Sequence, residues 1–106
     1  MSTAAIQLAH AAGLEVFVTS RSEDKRARVL QLGADAAFET GARLPRKADA
    51  VIESVGAATW SHSVKSVRPG GTIAICGATT GDQPGAELTR IFFQDIRVQG
   101  NYHGLP

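Results

Sequence analysis

Apolar residues recur along the chain with two alternating periods. Ala5, Ile6, Leu8, Ala9 and Ala12 fall at near-helical spacing, which predicts an alanine-rich helix over Ser2 to Ala12. Gly13 stands where such a helix takes a left-handed cap. Leu14-Glu15-Val16-Phe17-Val18 is β-branched and aromatic, bounded by Gly and Ser, and reads as a strand. Ser22 is a good N-cap, Glu23 and Asp24 suit a first helical turn, and the second helix runs to Leu32 and ends at Gly33. Ala36 to Phe38 is a short strand, followed by a polar connection, Glu39 to Lys47, containing Gly41 and Pro45.

Ala50-Val51-Ile52 begins the next strand, which ends at Glu53-Ser54-Val55-Gly56. A third helix is expected over Thr59 to Val67, stopped by Arg68-Pro69-Gly70-Gly71. Thr72 to Cys76 is nearly continuous apolar sequence, the pattern of a strand buried on both faces of a parallel sheet. Gly77 to Gly85 reads as a loop, Glu87 to Phe93 as a short helix and Ile96 to Gln99 as a last strand. Strands and helices therefore alternate, with only the 39–47 connection lacking a helix. That order specifies an α/β fold, a parallel sheet with helices on both faces.

Composition narrows the picture. The chain has 106 residues, enough for one small domain. Apolar residues make up 43% and charged residues 20%, a globular balance. Eleven basic against ten acidic side chains give a net charge of +1, which offers no reason to expect nucleic acid or an anionic membrane as partner. No apolar run nears the roughly 18 residues that span a bilayer. No basic region precedes an apolar stretch at the N-terminus, so a cytoplasmic domain is expected. A single cysteine forms no internal disulfide and no thiolate-rich metal site.

Several stretches carry a resemblance. They are Ala4-Ala5-Ile6-Gln7-Leu8-Ala9 with Ala12-Gly13, Val16-Phe17-Val18-Thr19-Ser20 with Lys25, and Leu32-Gly33-Ala34-Asp35. They continue with Asp49-Ala50-Val51-Ile52-Glu53-Ser54-Val55-Gly56, Arg68-Pro69-Gly70-Gly71-Thr72 and Cys76-Gly77-Ala78-Thr79. In their order and spacing the chain resembles the nucleotide-binding domain of the medium-chain dehydrogenase/reductase superfamily, in the branch of zinc-type alcohol dehydrogenase-like proteins and quinone oxidoreductases. The resemblance implies residues 1–106 as a partial, Rossmann-like dinucleotide-binding domain. In that family a strand and a G-x-G-x-x-G turn precede the alanine-rich helix, whose N-terminus holds the pyrophosphate. Here Met1-Ser2-Thr3 opens at or inside that helix, so the chain reads as a truncated domain without its first strand, Gly-rich turn or substrate domain. In the family's strand order 3-2-1-4-5-6 that strand is central. The strands at 14–18 and 50–53 would then stand about 9–10 Å apart, twice the usual spacing, either closing up or admitting another segment.

The resemblance also assigns candidate contacts. Ser20, Arg21 and Lys25 follow the strand end where the family reads the adenosine ribose. NAD-preferring members place a carboxylate there, whereas this chain has none until Glu23. A hydroxyl, a guanidinium and an ammonium suit the 2′-phosphate of NADP; otherwise they are an N-cap serine beside two exposed basic residues. Val55-Gly56 and Cys76-Gly77-Ala78 end two strands, where ligands bind in open α/β sheets, and imply contact with the nicotinamide side of the cofactor. Both also read as simple strand-ending turns.

Cys76 is expected as a small apolar residue, and Trp60 as a packing residue of the third helix. His10, His62 and His103 lie on three different elements, with no H-E-x-x-H or C-x-x-C spacing, so neither a metal site nor a catalytic residue is expected in this segment. The absence of a Tyr-x-x-x-Lys pair counts against a short-chain dehydrogenase. The expected function is a cofactor-binding segment of an NADP(H)-dependent oxidoreductase, not catalytic alone. The alternatives are a non-catalytic remnant or an unrelated flavodoxin-like or receiver-like module. For a receiver Glu53 is a poor substitute for the required Asp and acidic pair. Ile96 to Gln99 is expected at a sheet edge, where related dehydrogenases commonly pair subunits, and a homo-oligomer through such edges follows from exposed apolar strands.

Overall fold

The structure, a computed structural model, describes residues 3–100, with side chains from Ile6 onward. The chain divides into two compact units, Met1–Ala42 and Arg43–Pro106. Among the described residues the strands form two separate parallel sheets, one of two strands and one of three. His103 lies outside the described residues.

The first unit contains α1 (Thr3–Ala11), β1 (Phe17–Thr19), α2 (Glu23–Gln31) and β2 (Ala36–Phe38). β1 and β2 pair in parallel, Phe17 opposite Ala36 and Thr19 opposite Phe38, and α2 packs on both. Phe17 and Phe38 share a face and meet edge to face, with centroids 5.5 Å apart. Both helices end as the glycines predict. The Leu14 amide donates to the Ala9 carbonyl and the Gly13 amide to that of His10; Ala34 and Gly33 repeat the pattern on Val29 and Leu30. These are paired Schellman bonds. Gly33 is required twice over, because its φ is +117° and a Cβ there would lie 2.9 Å from the His10 ring. His10 itself is exposed.

β1 is shorter than the expected 14–18 strand. The Val16 carbonyl accepts from the amides of Asp35 and Ala36, and the Val16 amide donates to the Asp35 carboxylate at 2.7 Å. A side chain thus takes the place of the ladder where β1 would begin.

The second unit contains β3 (Ala48–Glu53), α3 (Trp60–Ser66), β4 (Val67–Ile75), α4 (Leu88–Phe93) and β5 (Arg97–Gly100). The sheet order is β3-β4-β5, all parallel. Val64, Val67 and Ile73 are wholly buried and, with Trp60 and Ile96, form the core, against which Val51, Ile75 and Ile91 pack. Trp60 packs as expected, its indole N–H donating to the Ala86 carbonyl at 3.3 Å. His62 is half-buried on α3.

Further boundaries differ from expectation, and β3 spans Ala48–Glu53 where a strand from Ala50 to Gly56 is expected. The turn expected at Arg68–Gly71 lies within β4, because Ala48 pairs with Val67 and Ala50 with Thr72, which leaves residues 68–71 as a bulge. β4 is also covered on one face more than on the other: Gly71 and Ile73 are buried, but Thr72 and Ala74 only partly so. β5 runs one residue later than expected and is the exposed edge that the sequence suggests.

The bulge explains Gly71. A Cβ there would stand 2.5 Å from a Val67 methyl and 2.8 Å from the Asp49 carbonyl. Gly85 has nothing within 4 Å. Gly71→Ala should lower stability by about 2 kcal/mol or more, whereas Gly85→Ala should be neutral or raise it by about 0.4–1 kcal/mol. Urea unfolding of both variants checks this, and equal effects would contradict the bulge.

Candidate functional site

The carboxyl end of β3 in the second unit is organised by one buried carboxylate. Glu53 is 3% exposed and is the last residue of the strand. Its Oε1 accepts from the Ser63 hydroxyl at 2.7 Å, and its Oε2 from the amides of Val55 at 3.0 Å and Gly56 at 3.1 Å. The Thr59 hydroxyl lies 2.9 and 2.7 Å from the two oxygens. Burial by itself pushes this carboxyl up, but the Ser63 and Thr59 hydroxyls and the Gly56 and Val55 amides together outweigh it. The net effect holds Glu53 below the ordinary carboxylate value.

The turn above it is bound to the loop after β4. Thr80 donates to the Val55 carbonyl from its amide at 2.7 Å and from its hydroxyl at 2.6 Å, and that hydroxyl accepts from the Ala58 amide at 3.0 Å. The Ala57 amide donates to the Gly81 carbonyl at 3.0 Å. Gly56 has φ +92°, and a Cβ there would collide with the Gly81 carbonyl and Ala78. Gly77 is less confined, a Cβ there standing 3.1 Å from the Ser54 carbonyl. The Gly56 carbonyl accepts the amides of Thr59 and Trp60, which starts α3.

Five of the sequence-derived candidates therefore gather in the second unit: Val55, Gly56, Cys76, Gly77 and Ala78. Ala78 is exposed, Gly56 is buried and the other three are half-buried. Cys76 falls just beyond β4, its amide donating to the Glu53 carbonyl at 2.9 Å. The residues that sequence reasoning missed are Glu53, Thr59, Ser63 and Thr80. A lone carboxylate at a strand end followed by hydroxyls at 59 and 63 on one helix face was the available signal.

Ser20, Arg21 and Lys25 belong to the first unit. The Ser20 amide extends the ladder to the Phe38 carbonyl at 2.9 Å, and its hydroxyl accepts from the Ser22 amide at 3.2 Å. Ser22 caps α2 by accepting from the Lys25 amide at 3.2 Å. Arg26 donates to the Ser20 carbonyl at 2.6 Å, which fixes the strand end. Arg21 and Lys25 are exposed, and their side chains have no partner among the described residues.

Because Glu53 has a depressed folded-state pKa, its contribution is complete above the ordinary carboxylate range and is lost as pH falls through the folded value. Glu53→Gln should cost about 2–3 kcal/mol at neutral pH by weakening four charge-assisted bonds. The gap between wild type and variant should narrow from about pH 5 downward. Circular-dichroism melts of both proteins across pH 7 to about 3 check this; a gap that widens with acid would reverse the sign.

A family description for zinc-binding dehydrogenases matches residues 1–105. No curated protein matches this chain. Among solved structures the chain is similar to an NAD-dependent alcohol dehydrogenase, at 32% identity and a TM-score of 0.85, over 95% of this chain and 32% of that one. It is similar to a thermostable alcohol dehydrogenase from Pyrobaculum aerophilum, at 31% identity and a TM-score of 0.79, over 92% and 30%. A putative zinc-binding dehydrogenase from Sinorhizobium meliloti, bound to NADP, matches at 30% identity and a TM-score of 0.81, over 93% and 33%. The chain spans about a third of the length of these structures. The match along the sequence sets aside the flavodoxin-like and receiver-like alternatives, whose parallel α/β architecture is much the same, and the chain belongs to the zinc-binding dehydrogenase family of the medium-chain dehydrogenase/reductase superfamily.

Proposed function

We propose that residues 1–106 are a partial dinucleotide-binding domain, the cofactor-binding segment of an NADP(H)-dependent oxidoreductase, and are not catalytic by themselves. The observation that carries this reading is the end of β1. It offers Arg21 and Lys25 exposed and unpartnered among the described residues, beside the Ser20 hydroxyl and with no carboxylate before Glu23. A guanidinium and an ammonium left open in this way suit a 2′-phosphate, which a dinucleotide without that group does not carry. The similar structures include one described as NAD-dependent and one bound to NADP, so the preference for NADP rests on these residues.

In this reading the Val55-Gly56 turn and Cys76-Gly77-Ala78 take the nicotinamide side, at the carboxyl ends of β3 and β4, with Gly56 and Gly77 letting these two segments pack closely on each other. A bound reduced nicotinamide supplies the hydride, and the residues of this chain bind and orient it. Among the described residues no three His, Cys, Asp or Glu side chains converge to hold a metal ion, so no zinc step is assigned to them. No helix among them is long and apolar enough to cross a membrane.

Purified 1–106 should oxidise NADPH with quinones or aldehydes no faster than its Lys25→Ala variant, since hydride transfer needs walls for both cofactor and acceptor. A rate clearly above that control would overturn the non-catalytic reading.

The choice of cofactor has its own test. Arg21→Ala combined with Lys25→Ala should weaken NADPH far more than NADH, because each charge-assisted phosphate contact contributes about 1.5–3 kcal/mol, roughly ten- to a hundredfold per contact. Calorimetric titration with both nucleotides measures it, and equal losses would reject the 2′-phosphate assignment.

A further inference from the structure

Every backbone polar group of the Val55-Gly56 turn is engaged. Both amides donate to Glu53 Oε2, the Val55 carbonyl accepts from Thr80, and the Gly56 carbonyl accepts from Thr59 and Trp60. Such a turn has no hydrogen bond left to offer a ligand. What it can offer is a fixed shape, with a Gly56 backbone that any larger residue would push against Gly81 and Ala78.

A buried carboxylate is a costly way to fill a core position, where an apolar side chain would serve packing better. No cation among the described residues forms an ion pair with Glu53; its partners are two hydroxyls and two amides. Only a group with several lone pairs can accept them all, and Oε2 alone receives both turn amides. The arrangement turns two successive N–H groups inward and away from any ligand. Ser63 and Thr59, on α3 and at its N-cap, hold the carboxylate in that orientation.

We propose that Glu53 is a positioning residue for the nicotinamide half of the cofactor, acting by locking the Val55-Gly56 turn into one surface. It touches no ligand itself. This inference rests on the cofactor-binding reading above. Loosening the turn should therefore harm the half of the cofactor that meets it and spare the half read by Arg21 and Lys25.

The test titrates the 106-residue chain with two ligands, NADPH and adenosine 2′,5′-bisphosphate, which carries the 2′-phosphate but no nicotinamide. Glu53→Gln keeps the shape, removes the charge and leaves one acceptor oxygen. It should weaken NADPH about tenfold while leaving the bisphosphate within about twofold. If that variant does not fold, Thr59→Val carries the test, since the Thr59 hydroxyl makes no capping bond and serves only the carboxylate. The same split, about threefold for NADPH, is expected there.

A purely structural role would lower the melting temperature and leave both affinities alone, or lower both together. Either result would overturn the proposal. Wild type that binds neither ligand would instead overturn the cofactor-binding reading, and the positioning role with it.

Discussion

A carboxylate taken out of water must find a donor for each lone pair it exposes to the interior, and that requirement shapes the second unit. Glu53 meets it with two hydroxyls from the start of α3 and two amides from the turn that follows its own strand. The strand end, the turn and the first turns of the helix therefore cannot move independently. Removing the acceptor would strand several buried donors at once, each costing about 1–3 kcal/mol, so the local structure is cooperative well beyond its size. Thr80 extends the same unit to the loop after β4, using one hydroxyl as both donor and acceptor.

The first unit solves the equivalent problem with backbone and with cations. Its helices close on glycine, its β1 entry is completed by the Asp35 carboxylate, and its β1 exit is fixed by Arg26 on the Ser20 carbonyl. Of the three basic residues nearest that exit, one is committed to structure and two are not. That division is what separates a positioned strand end from a merely basic one. The Arg68–Asp49 pair in the second unit is different in kind: at 2.6 Å but with both side chains at least half exposed, it contributes little in water.

Features set by neighbours in sequence were legible without coordinates. Ser22 as a cap, Gly13 and Gly33 as helix ends and the alternation of elements all follow from local backbone chemistry. Features set by distant partners were not. The Val16–Asp35 bonds span 19 residues and shorten a strand whose composition is mostly strand-like. The bulge at 68–71 depends on the register between β3 and β4, which a Pro-Gly-Gly sequence hides behind the look of a helix stop. Glu53 escaped for a related reason. A single acidic residue at a strand end has no period, and its meaning emerges only when residues 55, 56, 59 and 63 fold back upon it. Of the candidate site, the proposed backbone positions therefore came from the sequence and the side chain that fixes them did not.

In the proposed reading, charge near the end of β1 sets how far NADP can be favoured over NAD. Glu23 and Asp24 sit in the first turn of α2, where they stabilise the helix end and also oppose a phosphate. Arg21 and Lys25 offset them in number, so a 2′-phosphate gains through contact geometry more than through net field. Contacts of hydrogen-bond length are short against a Debye length of about 10 Å at 0.1 M salt, whereas the field of the four exposed charges together is largely screened at that range. In the proposed reading, discrimination between the two cofactors therefore depends on the two side chains reaching the phosphate and not on the unit being basic, and as a contact between exposed charges it weakens as salt rises.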